Sequence, residues 1–285
     1  MKKLIIVLGV LGASFSAIFV RLSQAPALVL VFYRMLFATA VLLPVVLVKH
    51  RKELKEMTGK EFLLSALSGV FLGLHFSCYF SSLRYTSIAA SVVLVDTEVF
   101  FVAIISRLLW KKKISGTGWL GIAVAFLGSV LIALADSGGG SNVLLGDGLA
   151  VAGAVFVAVY TLLGTVVRRT RSTTVYTTVV YGTGCLTVLL VLLFSGTAVT
   201  GYHSVDYAAA LGLALFSTLL GHSVFSWGLQ YESPTFVSMA KLLEPVFATI
   251  MGILLFREVP GALVALGGII VILGVGWYCK KAEDT

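Results

Sequence analysis

Charge is what this chain has least of: Asp, Glu, Lys and Arg make up 12% of its 285 residues, and only 13 residues are acidic. A water-soluble domain carries about 25%, so an ordinary soluble fold is excluded. The apolar share is 59% and the mean hydropathy is +1.03. Cysteine is scarce too. Cys78, Cys185 and Cys279 stand in or beside apolar runs without paired spacing, which gives neither a disulfide framework nor a thiolate metal site and is read as small apolar packing. Missing altogether are a G-x-x-x-x-G-K-[ST] phosphate loop, an H-E-x-x-H zinc helix and a G-x-S-x-G nucleophile elbow, so ATP-driven pumping and the common hydrolytic layouts have no support. An intramembrane enzyme of another layout stays a distant alternative, and no cofactor or metal is expected.

What fills the chain instead is ten apolar stretches, at about 4–21, 27–48, 62–83, 87–109, 118–135, 145–166, 175–195, 207–229, 234–256 and 260–278. A hydrocarbon core about 30 Å thick needs roughly 20 helical residues, so each predicts one crossing of an all-α polytopic membrane protein. The formal charge of +8 raises the question of nucleic acid, but its distribution answers to topology. Lys2, Lys3, Lys49, Arg51, Lys52, Lys55, Lys60, Lys111, Lys112, Lys113, Arg168, Arg169, Arg171, Lys280 and Lys281 fall at the start and in alternate connections, against Arg21, Arg84 and Arg257 in the others. The positive-inside bias then puts both termini in the cytoplasm. Met1-Lys-Lys and the run to Ala17 mimic a signal peptide, but the run is long for an h-region and is followed by nine more of its kind.

Sliding the chain by 146 residues superposes Leu83 on Leu229, Tyr85 on Tyr231, Glu98 on Glu244, Phe101 on Phe247, Leu109 on Leu255, Gly121 on Gly267 and Gly128 on Gly274. Gly12-Ala13 matches Gly153-Ala154 at a different offset. Chance among Leu- and Gly-rich helices does not readily align an acid in mid-span, so a duplication is expected: a five-helix repeat over 1–136, an external linker over 137–144 around the polar run Asp136–Asn142, and a second repeat over 145–285. Five is odd, so the copies enter from opposite sides as inverted repeats, an arrangement that places a substrate site at the midplane.

Ionisable groups in mid-span are costly and mark pathways; here they are Glu98, Asp96, Lys241, Glu244 and Arg34. At 1.5 Å per residue, Glu98 lies about 16 Å in from Ser87 and Glu244 about 15 Å in from Pro234. Lys241 and Glu244 share a helix face, and Pro245 frees the carbonyl of residue 241; an intrahelical ion pair and a functional pair are both open. Asp96 and Glu98 point nearly opposite ways, so one pairs elsewhere, with Arg34 or Lys241. His75 and His222 suit a proton relay or hydrogen bonding to substrate, or plain helix bridging. Tyr79, Tyr160 and Trp227 offer faces for a solute or a cation, or simply pack. Gly118, Gly121, Ala125 and Gly128, with Gly267, Gly268 and Gly274, permit close helix contact, within a monomer or across a weak homodimer. The segment Lys49–Lys60 reads as a solvated loop whose basic side touches headgroups.

The stretches Gly221-His-Ser-Val-Phe-Ser-Trp-Gly-Leu229 and Ser238-Met-Ala-Lys-Leu-Leu-Glu-Pro-Val-Phe-Ala248, with His75-Phe76, Ser82-Leu83, Tyr85-Thr-Ser87 and Ser91-Val-Val-Leu94, resemble the EamA family of ten-helix bacterial transporters in the drug/metabolite transporter superfamily. The resemblance implies a multi-pass protein of the plasma (inner) membrane with a central cavity lined by spans one, three, four, six, eight and nine. It also implies alternating access and, commonly, export of amino acids or similar metabolites, with no nucleic-acid partner. Val99 stands where the family often has Pro, and Tyr79 where it usually has Trp. Three mid-span acids against Lys241 and Arg34 favour a zwitterion or an organic cation, with Glu98 and Glu244 taking an amine or a coupling proton. Import of a small cation or vitamin-like solute, and a sensor or scaffold without flux, remain as rivals.

Overall fold

The computed structural model describes residues 1–111, 114–135, 141–257 and 260–281, and every regular element in them is helical. Lipid leaves backbone N–H and C=O groups no water to bond, so helices satisfy them internally. In order the helices are α1 (Lys2–Arg21), α2 (Ala27–Lys49), α3 (Arg51–Lys55), α4 (Gly59–Ser82), α5 (Ile88–Asp96), α6 (Glu98–Trp110), α7 (Gly116–Leu134), α8 (Val143–Val167), α9 (Thr173–Phe194), α10 (Ser204–Gly212), a π-helical segment (Leu213–His222), α11 (Ser223–Gly228), α12 (Pro234–Lys241), α13 (Glu244–Phe256) and α14 (Ala262–Lys281). Among the described residues, nine stretches are long and apolar enough to cross a membrane, with α10 to α11 and α12 to α13 each counted as one. The remaining expected span, 87–109, is present as α5 and α6. Lys112, Lys113, Asp136 and residues 137–140 of the expected linker lie outside the described residues.

The two copies agree in detail at the 146-residue offset. Ser87 and Ser233 each cap the following helix, accepting from the N–H of Ala90 and Phe236. Both crossings then break in the middle, and Glu98 and Glu244 each begin a half-helix of thirteen residues. Those half-helices stop at Lys111 and Arg257, the two non-glycine residues with left-handed backbone among the described residues, at φ 54° and 56°. Such a conformation costs roughly 1–2 kcal/mol outside glycine, so its recurrence at matched positions argues against chance.

Packing interleaves the copies. α4 lies against α8 and α9, α1 against the π segment and α11 to α13, α2 against α9, and α7 against α14. The glycine stripes are consumed in the α7–α14 contact: a Cβ on Gly128 would sit 2.6 Å from the Val271 nitrogen, and one on Gly267 would sit 2.7 Å from the Gly128 oxygen. Of the two uses open to those glycines, the structure shows packing within the chain.

Carboxylates tie the copies together on both faces. On the face that carries the termini, Glu61 in the first turn of α4 accepts from Arg171 Nε and Nη2 at 2.9 and 2.7 Å, and from the Thr170 hydroxyl at 2.7 Å. Arg171 also donates to the Glu56 carbonyl at 2.9 Å, and Glu53 accepts from the Ser172 N–H at 2.6 Å. The segment Lys49–Lys60, expected as a solvated loop, therefore docks through Glu53 and Glu56 beside Glu61, because Arg171 offers donors on several sides at once. Burial would raise the Glu53 carboxyl, but its bonds to Ser172 and His50 outweigh that and hold it below the ordinary value. On the opposite face Asp206, in the first turn of α10, accepts from the Ser23 hydroxyl and the Gln24 and Ala25 N–H groups at 2.6, 2.9 and 3.2 Å. Each carboxylate is the third residue of its helix and also accepts from its own cap, the Thr58 N–H at 2.9 Å and the His203 N–H at 3.0 Å.

Candidate functional site

The site grows from the two broken crossings. At Thr97 the hydroxyl donates to the Leu94 carbonyl and the N–H bonds the same group, a local side-chain bond that competes with the helix. At Leu242 and Leu243 the turn tightens onto Met239 and Ala240 ahead of Pro245, which sits in the first turn of α13 where proline is tolerated. Glu98 and Glu244 thus occupy the positive N-terminal ends of half-helices, Lys241 the negative C-terminal end of α12, and Asp96 the negative end of α5. The dipole favours the first three and opposes the fourth.

The matched acids have unlike partners. Lys241 Nζ reaches Glu98 Oε1 at 2.9 Å, and both side chains are about a tenth exposed or less, at 10% and 7%. The intrahelical Lys241–Glu244 pair does not form, because the break at Leu242–Leu243 ends the shared helix face on which it was expected. Of the two cations available to the Asp96–Glu98 couple, Lys241 is therefore the one used. Glu244 is half-buried, and its side chain makes no hydrogen bond among the described residues; its carbonyl accepts from Ser14 of α1 at 3.2 Å. Asp96 is half-buried as well, its Oδ2 is without a partner, and the charges of Glu244 and Glu98 act on it.

Arg34 is buried, donates from Nε to Thr218 Oγ1 at 3.0 Å, and lays its guanidinium 4.6 Å from the centre of the Phe76 ring. His75 donates from Nδ1 to the Gly153 carbonyl at 2.9 Å, so of its open readings the structure shows helix bridging. The His222 ring sits against Phe76, Phe225 and Tyr160, with no partner for Nδ1. Tyr79 stacks along His75 and lies where the charges of Asp96 and Glu244 reach its hydroxyl. Tyr160 is buried and bonds Ser226 at 3.0 Å. Trp227 is apart from this group: it is the next-to-last residue of α11 and packs on Tyr231, which itself carries Lys2 over its ring at 4.1 Å. It stands at a helix end, away from the residues around the two breaks.

Sequence reasoning missed Ser14, Thr218, Tyr181 and Ser223. The last two work with the π segment. Wider turns leave the Thr218 carbonyl to accept from Tyr181 and Ser223, both at 3.3 Å, while its hydroxyl donates to Leu213 at 3.2 Å. Single π turns recur at functional positions, but no proline or glycine pattern announces this one.

Inverted five-helix repeats, paired mid-membrane helix breaks and buried charges around them define a multi-pass membrane transporter. A family model described as the EamA-like transporter family matches residues 2–134 and 144–278, and the chain belongs to that family; it is not an enzyme. It is 30% identical to an uncharacterized transporter of Archaeoglobus fulgidus, over 96% of this chain and 94% of the relative. It is 26% identical to the pseudopaline exporter CntI of Pseudomonas aeruginosa, over 87% of this chain and 84% of the relative. A solved crystal structure aligns over 99% of this chain and 98% of its own with a TM-score of 0.82 at 17% identity, a likeness of fold.

Proposed function

We propose that this protein is a secondary transporter of the bacterial plasma membrane, termini in the cytoplasm, that exports a small zwitterionic or cationic metabolite by alternating access. The observation that carries the reading is the unequal use of the matched acids: Lys241 pairs with Glu98, and the Glu244 side chain has no hydrogen bond among the described residues. A free carboxylate beside Asp96, whose own half-helix end repels its charge, is a receptor for an ammonium group. Amine and proton compete for Glu244, which supplies a route to coupling. Outward polarity is supported by the relative named as an exporter, and terminal orientation by the basic residues of alternate connections.

The test is the extracellular metabolite profile of cells making the wild type beside cells making Glu244→Gln at equal membrane abundance. A compound enriched outside with the wild type alone is expected. Coincident profiles, or compounds lost from the medium with the wild type, overturn export.

A further inference from the structure

Resting on that reading, we infer that Arg34 is the residue that recognises a substrate carboxylate, with His222 as second donor, so that the ligand is an amino-acid-like zwitterion and not a bare amine. Three cations are buried among the described residues: Arg34, Arg168 and Lys241. Lys241 has Glu98; Arg168 donates to the Ser226 and Arg171 carbonyls and to Gln230 Oε1. Arg34 has one neutral bond, to Thr218, and its Nη2 is buried with no partner. Leaving a charged donor unbonded away from water is costly.

The guanidinium is nevertheless held in place. Thr218 spends its own proton on the Leu213 carbonyl, so its lone pair faces Arg34 Nε, and the Phe76 face fixes the plane. Phe76 also touches the His222 ring, whose Nδ1 is the nearby orphan. Glu244 and Arg34 act on each other through space yet share no hydrogen bond. An ammonium answers the Glu244 carboxylate and a carboxylate answers the planar Arg34 fork, so a zwitterion would engage both.

The experiment is thermal stabilisation of the purified, full-length protein by each of the common L-α-amino acids, and by the decarboxylated amine and methyl ester of every one that stabilises. The wild type is expected to bind an amino acid more tightly than its amine and ester. Arg34→Gln should weaken the amino acid roughly ten- to a hundredfold, the worth of a charged hydrogen bond, and leave the amine unchanged; Arg34→Lys should fall between. Glu244→Gln should lose both ligands, which separates failure of this inference from failure of the export reading. Equal wild-type binding of acid, amine and ester, an unaffected Arg34→Gln, or no binding of any amino acid overturns it. If Arg34→Gln does not fold, Arg34→Lys decides: weaker binding of the amino acid with the amine unchanged supports the inference, and both unchanged overturns it.

A different observation carries a second inference: Glu61 and Asp206 are the closures of the two membrane faces, opened in turn during transport. They are matched third residues of α4 and α10, 145 apart, and each grips the connection between the first two crossings of the other copy, Thr170–Arg171 and Ser23–Ala25 respectively. Alternating access requires that such ties break one at a time. In hydrogen exchange on the full-length protein, Glu61→Gln should speed exchange in α12 and Asp206→Asn in α5, each at least severalfold and without the other. Arg171→Lys, which keeps the Glu61 cap, should repeat the first effect. Equal acceleration on both sides, or none, overturns the inference.

Discussion

Neutralising Glu98 strands the Lys241 ammonium where 10% of its side chain is exposed, and breaking one side of a buried pair costs about 3–5 kcal/mol. The nearest other acid, Glu244, lies past the helix break and makes no bond to Lys241. Glu98→Gln should therefore lower the unfolding midpoint in mild detergent on the order of 10 °C, taking a few degrees per kcal/mol for a chain of this size. Lys241→Gln should cost a similar amount for the orphaned carboxylate. The double variant, two amides at hydrogen-bonding range, should recover at least about 2 kcal/mol of the summed loss, a coupling expected of directly interacting charges. Glu244→Gln, which removes no hydrogen bond, should leave the midpoint within about 2 °C. These outcomes together would separate the matched acids into one that serves the folded state and one that does not, although the sequence alone treats them as equals. Additive losses in the double variant, or a Glu98→Gln midpoint no lower than that of Glu244→Gln, refute the reasoning.

Gly274→Val should destabilise by about 1–3 kcal/mol, as overpacking does, because the added atoms meet the Ala125 backbone; a thermal midpoint equal to the wild type would contradict it. Arg171→Gln should lose the fork to Glu61, and a cycle with Glu61→Gln should give a coupling of roughly 1–3 kcal/mol, the range of hydrogen bonds to charged groups. The Glu53 carboxyl sits below its ordinary value in the folded chain, so its contribution is complete above the unfolded carboxylate pKa of about 4.3 and fades as pH falls through the lower folded value. Stability against pH should show a smaller acid-side fall in Glu53→Gln than in the wild type.

How much of this was legible follows from the residues themselves. The membrane class and all ten spans were plain, since apolar length is decisive in lipid. The break before Glu244 was marked by Pro245. Its partner before Glu98 carried no proline or glycine, only the Thr97 hydroxyl turning back on Leu94. Choosing Lys241 over Arg34 as the partner of Glu98 needed the angle between crossings, which periodicity does not supply. The two face clasps left a trace that was readable in retrospect: Thr58-x-x-Glu61 and His203-x-x-Asp206 carry an acid three residues after a cap, one of the signatures of a helix start. Reading them as ties between copies required knowing which loops lie opposite.

The π segment has one more consequence. The offset between copies is 145 residues at the Glu61–Asp206 pair and 146 at Leu83–Leu229, and the third crossing has 24 residues in α4 where the eighth has 25 from Ser204 to Gly228. One residue has been added in the second copy, and π turns absorb such an addition without breaking the helix. In a regular α-helix an extra residue would turn everything after it by about 100°; the widened turns take it up, and Leu229 keeps the register of Leu83. A pocket lying on a true twofold axis would present any guest with two equivalent poses, head to either side. Thr218 and His222, in the widened turns, stand against Leu72 and Phe76 at the 146-residue offset, so the copies offer unlike groups there and a guest with unlike ends is expected to lie one way.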